Sequence, residues 1–265
     1  MNSKTFFASS AVLAAGTVFA AELYRPEFKD LIPPKAVVQK DGFYSVSGKR
    51  FWVQGKKAFA VDPAKKYTVS GEFRFRGTPL KSFYVGLTPL TEKEQPIPCA
   101  GIYAEPGTET TLAAPAAVGD TTLKLADAQK WNNKFPYAAV AFNVKDNFAD
   151  FPNYDHVSMK KGSVKKAGDV WEIELGGPLK KAYPAGTRVR QHRFGGAYIY
   201  TTMKFKDFNS DWQKFSGTVT GMTQSVRSDT QFWPCTAKAR VIILSNSGAD
   251  DSVVEFRNIV VEEND

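Results

Sequence analysis

From Lys66 to Gly77 the chain reads KYTVSGEFRFRG, with Tyr67, Val69, Phe73 and Phe75 in one phase and Thr68, Ser70, Glu72, Arg74 and Arg76 in the other. Alternation of period two puts each set on its own face of a pleated strand, so the segment is a half-buried strand. The rhythm returns in SFYVGL, where Phe83, Val85 and Leu87 form the apolar row and Tyr84 and Gly86 oppose it. In AYIYTTMKF, Ile199, Met203 and Phe205 are the expected core row and Tyr198, Tyr200 and Thr202 face away. Near the C-terminus ARVIILSN and SVVEFRNIVVEE are almost continuously apolar, which suits strands held between two layers. No stretch keeps a helical period over the roughly 11 residues such a reading needs. Proline and glycine clusters interrupt the strands at short spacing, and the class predicted is an all-β sandwich.

The first twenty residues are read as a signal peptide and set aside. Lys4 gives the positive start, Phe6 to Phe19 is an apolar and small-residue stretch, and Val18-Phe19-Ala20 is an acceptable cleavage site. The apolar run is shorter than the roughly 20 residues needed to span a bilayer, and no later segment is apolar enough to do so. The expected location is therefore secreted, periplasmic or at the cell surface, with no membrane span.

Hydrophobic residues at 43% and aromatic ones at 13% supply enough apolar surface for a sizeable core and argue against disorder. The formal charge of +8 would favour an acidic glycan, an anionic surface or nucleic acid. The basic residues are scattered as pairs such as Lys56-Lys57, Lys65-Lys66 and Lys165-Lys166, which fits solvated strand edges and turns, so no nucleic-acid partner is expected. Cys99 and Cys235 are the two cysteines, and each follows a proline. In an oxidising compartment a bridge between them is the expected state, worth about 4 to 5 kcal/mol in the chain-entropy picture; two buried thiols are the alternative.

The region 108–193 breaks the order. It opens with TTLAAPAAVGDTTLKLADAQKW, where Leu123 and Leu125 alternate after an Asp120 turn, and closes with DVWEIELGGPLKKAYPAGTRVRQHR, where Trp171, Ile173 and Leu175 alternate with Glu172 and Glu174. The Gly-Asp-Thr-Thr-Leu and Gly-Thr-x-Val pieces resemble the small β-barrel modules of secreted and tail-associated adhesive proteins. With this region removed, CAGIYAEP would sit directly before GGAYIYTTMKF, as adjacent strands would. The organisation expected is a discontinuous sandwich, 21–107 and 194–265, carrying an inserted small β-barrel; two consecutive domains divided near Ala113 are the alternative.

Pro63, Lys65 or Lys66, Tyr67 and Thr68 form a turn leading into a strand, and Trp212, Phe215, Ser216, Gly217 and Thr218 open a later one. Together with the closing SVVEFRNIVVEE, these residues resemble the jelly-roll carbohydrate-binding modules of the family 4/9/22 type, over 36–107 and 194–263. The resemblance implies a galactose-binding-like jelly roll that binds a polysaccharide without cutting it. It also implies that Trp212 and Tyr67 are core residues. Many members hold a structural calcium through a carboxylate in the closing strand, where this chain has Arg257-Asn258, so no calcium and no other cofactor is expected.

Sugars are held by flat aromatic faces and a few polar groups that read hydroxyls. The candidates are Tyr84, Tyr103, Tyr198 and Tyr200, which face away from the core rows, and Trp233 near a strand start. Enzyme readings rank lower. Trp171-Glu172-Ile173-Glu174-Leu175 has one carboxylate too few for the single-strand motif of laminarinase-like hydrolases, although a distant pair such as Asp155 with Glu105 stays open. His156 and His192, the only histidines, lack metal-ligand spacing. The function expected is a secreted, non-catalytic glycan-binding or surface-adhesive protein, with acidic glycans among its partners. A jelly-roll glycoside hydrolase or polysaccharide lyase and a structural envelope or matrix component are the alternatives.

Overall fold

The computed structural model describes residues 21–32, 37–38, 41–202 and 209–264. The expected signal peptide and the core positions assigned to Met203 and Phe205 lie outside them. The chain is all-β, and the strands pair antiparallel throughout.

One six-stranded sheet runs in the order Gln213–Thr220, Lys66–Arg76, Val253–Asn264, Tyr44–Ser47 and Val37–Val38, with Ala21–Tyr24 also on Val253–Asn264. A second runs Ile199–Thr202, Tyr84–Leu90, Lys238–Ser245, Phe51–Gly55 and Leu31–Ile32, with Phe59–Ala60 also on Lys238–Ser245. Their inner rows share one core: Tyr67, Val69, Phe73 and Phe75 from the first sheet, Val53, Val85, Leu87 and Ile243 from the second. The period-two reading of these strands therefore holds.

The closing strand departs from simple alternation. Val254 and Phe256 are buried, the register shifts between Arg257 and Val260, and Ile259 and Val261 are buried next. Asn258 at φ 52° supplies the bulge, a left-handed position that asparagine tolerates. The continuous apolar run in the sequence is thus two alternating halves out of phase. Gly71 opposite makes room for it, since a Cβ there would stand 2.3 Å from Ile259 Cδ1.

A second core lies between Leu112 and Val189 and includes Leu123, Leu125, Val140, Phe142, Ile173 and Leu175. Two smaller sheets build it, ordered Thr122–Leu125, Val170–Glu174, Lys165–Ala167 and His156–Ser158, Ala138–Phe142, Arg188–Arg193, Thr110–Thr111.

The two cores meet at the one-turn helix Cys99–Ile102, where buried polar groups bond one another. His192 Nδ1–H donates to the Ala100 carbonyl at 2.6 Å, and Nε2 accepts from Arg190 Nε at 3.0 Å. Arg190 is 1% exposed, pairs with Asp150 at 2.9 Å and lies over the Phe148 and Phe151 rings. Burial, then the neighbouring Arg190 charge, lowers His192 to about 4. Asp150 is held below its usual range because hydrogen bonds from Asn153 and the Lys145 N–H, with Arg190, outweigh the upward push of burial.

The expected disulfide is corrected: both thiols are free. Cys99 is buried in the helix with Sγ 3.8 Å from the Arg193 carbonyl, while Cys235 is exposed at φ 66° with Sγ 3.3 Å from the Phe151 carbonyl. The two sulfurs are directed at carbonyls on different segments, and a bridge needs them about 2 Å apart. Burial raises the Cys99 thiol to about 11. Among the described residues no helix is long and apolar enough to cross a membrane.

Candidate functional site

The outer faces of the two large sheets differ in what they leave available. On the first sheet, Arg74 and Arg76 pair with Glu255, and Glu72 accepts from both Arg257 and Asn258. Trp212 lies beneath Arg74 and Arg257, their guanidinium carbons 4.5 and 4.2 Å from its ring, with Phe43 edge-on at 5.7 Å. Trp212 is thus a half-buried ring held between cations, outside the core in which the resemblance placed it, whereas Tyr67 is fully buried. Arg257 and Asn258 of the closing strand are both engaged with Glu72.

The second sheet presents aromatics. Register puts Leu244 between Trp52 on one side and Tyr84 on the other, and Ile242 between Gln54 and Gly86, with Tyr200 beyond Gly86. Because Phe51 and Val53 point inward, Trp52 points out, and it is 47% exposed. Tyr84 and Tyr200 have ring centroids 4.6 Å apart, and Tyr198 lies 6.1 Å from Tyr200. Glycines allow this closeness. A Cβ on Gly86 would stand 1.9 Å from the Ile199 carbonyl oxygen, and one on Gly196 would stand 2.3 Å from the Tyr200 hydroxyl.

A groove of ≈ 350 Å³ opens here, walled by Trp52, Tyr198, Tyr200 and Leu244, with Arg50 and Asn246 at its rim. Among the described residues the Arg50 and Asn246 side chains have no hydrogen-bond partner, so a guanidinium and an amide remain free for hydroxyls or a carboxylate. Beside the groove, Arg227 lies 5.2 Å from the Tyr200 ring centre and bonds Asp229 at 3.0 Å. Burial raises the Tyr200 phenol and Arg227 partly offsets that, so Tyr200 stays a neutral donor at physiological pH.

Of the five residues expected from sequence, Tyr84, Tyr198 and Tyr200 come together. Tyr103 stands apart, its ring under the Arg193 guanidinium at 5.3 Å. Trp233 is a correction: it is 0% exposed, sits in the core beside Phe232, and donates its indole N–H to the Ser228 carbonyl at 2.9 Å. A ring with no accessible face cannot stack on a sugar. Trp52 was missed, though the phase of FWVQG carried the signal.

Three of the carboxylates weighed for catalysis, Glu105, Asp155 and Glu174, are engaged. Glu105 takes a two-point bond from Arg193, Asp155 accepts from Tyr183 at 2.5 Å and pairs with Lys181 at 2.9 Å, and Glu174 pairs with Lys160 at 3.2 Å. No protein-family model and no curated protein matches this sequence.

Proposed function

We propose that this is a secreted, non-catalytic carbohydrate-binding or surface-adhesive protein that holds a polysaccharide on the outer face of its second sheet. The supporting observation is the row Trp52–Leu244–Tyr84 flanked by Tyr200 and Tyr198, an aromatic strip with unpaired polar groups at its rim. Sugar rings lay their C–H faces on such strips while rim groups take the hydroxyls. On the opposite sheet Arg74, Arg76 and Arg257 are taken up by Glu255 and Glu72.

In this reading the two large sheets form a jelly roll of the carbohydrate-binding-module kind, and the second core is a small β-barrel inserted into it. The engagement of Glu105, Asp155 and Glu174 with cations favours binding over hydrolysis, which needs two carboxylates placed about a scissile bond. Affinity electrophoresis in gels cast with neutral or acidic polysaccharides tests the proposal. Retardation by one class, lost in Trp52→Ala at unchanged melting temperature, is the expected result. Equal mobility in every gel would refute it.

A further inference from the structure

We infer that the second core carries its own saccharide pocket, selective for a pyranose that bears a carboxylate. The pocket has a volume of ≈ 490 Å³, inside the range of about 300 to 1,000 Å³ usual for small-ligand sites, and shares no residue with the Trp52 groove. Three separate stretches build it: Phe142, the segment 154–158, and the loop 178–183, with Phe194 closing one side.

Its chemistry is that of a sugar acid site. The back wall is the Phe142–Tyr183 pair, stacked with centroids 3.9 Å apart, and the 49% exposed Tyr154 offers a ring face at the edge. Tyr183 OH and Lys181 both satisfy Asp155, the one carboxylate among the described residues lining the pocket. Lys180 also lines the pocket, and its ammonium has no partner among the described residues, leaving one uncompensated positive charge. His156 Nδ1 lies 2.9 Å from the Asn153 carbonyl, which can only accept, so Nδ1 carries a proton, and in that tautomer Nε2 is the nitrogen left to accept. One unpaired cation, one free acceptor for a hydroxyl and an aromatic edge match a hexuronate. A neutral sugar would leave the ammonium unanswered, and a simple anion would leave the aromatic edge and the imidazole unused.

The test is calorimetric titration of the chain from Ala21 with trigalacturonate and with its methyl ester, in parallel with nitrogen-correlated NMR of the histidine rings. The acid should bind in preference to the ester, Lys180→Gln should weaken the acid about tenfold and leave the ester unchanged, Tyr154→Ala should weaken both, and the His156 ring signals should move on titration. Trp52→Ala should leave this binding intact. Equal affinity for acid and ester, stationary His156 signals, or unchanged affinity in Lys180→Gln would overturn the inference, and so would complete loss of binding in Trp52→Ala. Failure of the groove reading is distinct: Trp52→Ala would then leave gel retardation by polysaccharide unaltered while the trigalacturonate titration persists.

Discussion

The Nδ1–H of His192 donates to the carbonyl of Ala100 at 2.6 Å, and this bond ties the last strand of the smaller core to the helix that leaves the larger one. The ring can play this part and accept from Arg190 only while neutral. Its depressed folded value, about 4, means the unfolded chain takes up the proton first as pH falls. The stability it contributes is fully present above the ordinary histidine value near 6.5 and is lost as pH drops toward 4, up to about 3 kcal/mol in all. Melting temperature measured from pH 7 to pH 4 should fall across that window, and His192→Gln should flatten the slope.

Trp52 and Trp233 should behave as opposites. Trp52→Ala removes an exposed ring and should cost less than about 1 kcal/mol of stability while weakening polysaccharide retention. Trp233→Ala empties a core position and should cost about 3 to 5 kcal/mol. Denaturant melts beside affinity gels separate the two effects. Large destabilisation by Trp52→Ala would count against its placement on the surface.

How much of this was legible beforehand differs from residue to residue. Tyr67, Val69, Phe73 and Phe75 were readable because a regular strand repeats its phase locally, and the clustered tyrosines 84, 198 and 200 followed by the same logic. Trp52 was equally readable from Phe51 and Val53 on either side. The bulge at Asn258 was not, since both halves of the strand are apolar and only the phase changes. Trp233 was misjudged because the partner of its N–H is a loop carbonyl, which no periodicity marks. The cysteines failed for a related reason: separation along a chain carries no distance in space. The pocket beneath Tyr154 joins three stretches that only the fold brings together.

The thiols give a direct check. In the native protein Cys235 should react with a maleimide within minutes and Cys99 only after unfolding, because one is exposed and the other is buried with its thiol raised to about 11. Mass spectrometry before and after denaturation reads this as one label, then two. A mass two hydrogens light under non-reducing conditions would contradict the free pair.

Gly86→Ala tests how the tyrosine strip is assembled. The added methyl would collide with the Ile199 backbone, which cannot swing aside as a long side chain can. The strand Ile199–Thr202 should be pushed off Tyr84–Leu90, with a loss of about 2 to 4 kcal/mol and of polysaccharide retention together. Amide exchange should rise first at Ile199 and Tyr200. Protection unchanged at those two amides would argue against the pairing.

Arg190→Met should be severe, since it strands Asp150, 4% exposed, without its cation. A loss of about 3 to 5 kcal/mol is expected by chemical denaturation. Adding Asp150→Asn to Arg190→Met should recover part of it, because the orphaned charge is then gone.

Ala104 and His192 face each other in an antiparallel bridge where the polypeptide departs from the larger core and comes back to it. The two ends of the stretch that builds the smaller core are therefore held within bonding reach of each other. Entry and exit thus behave as one structural element, and a change on either strand there is felt by both.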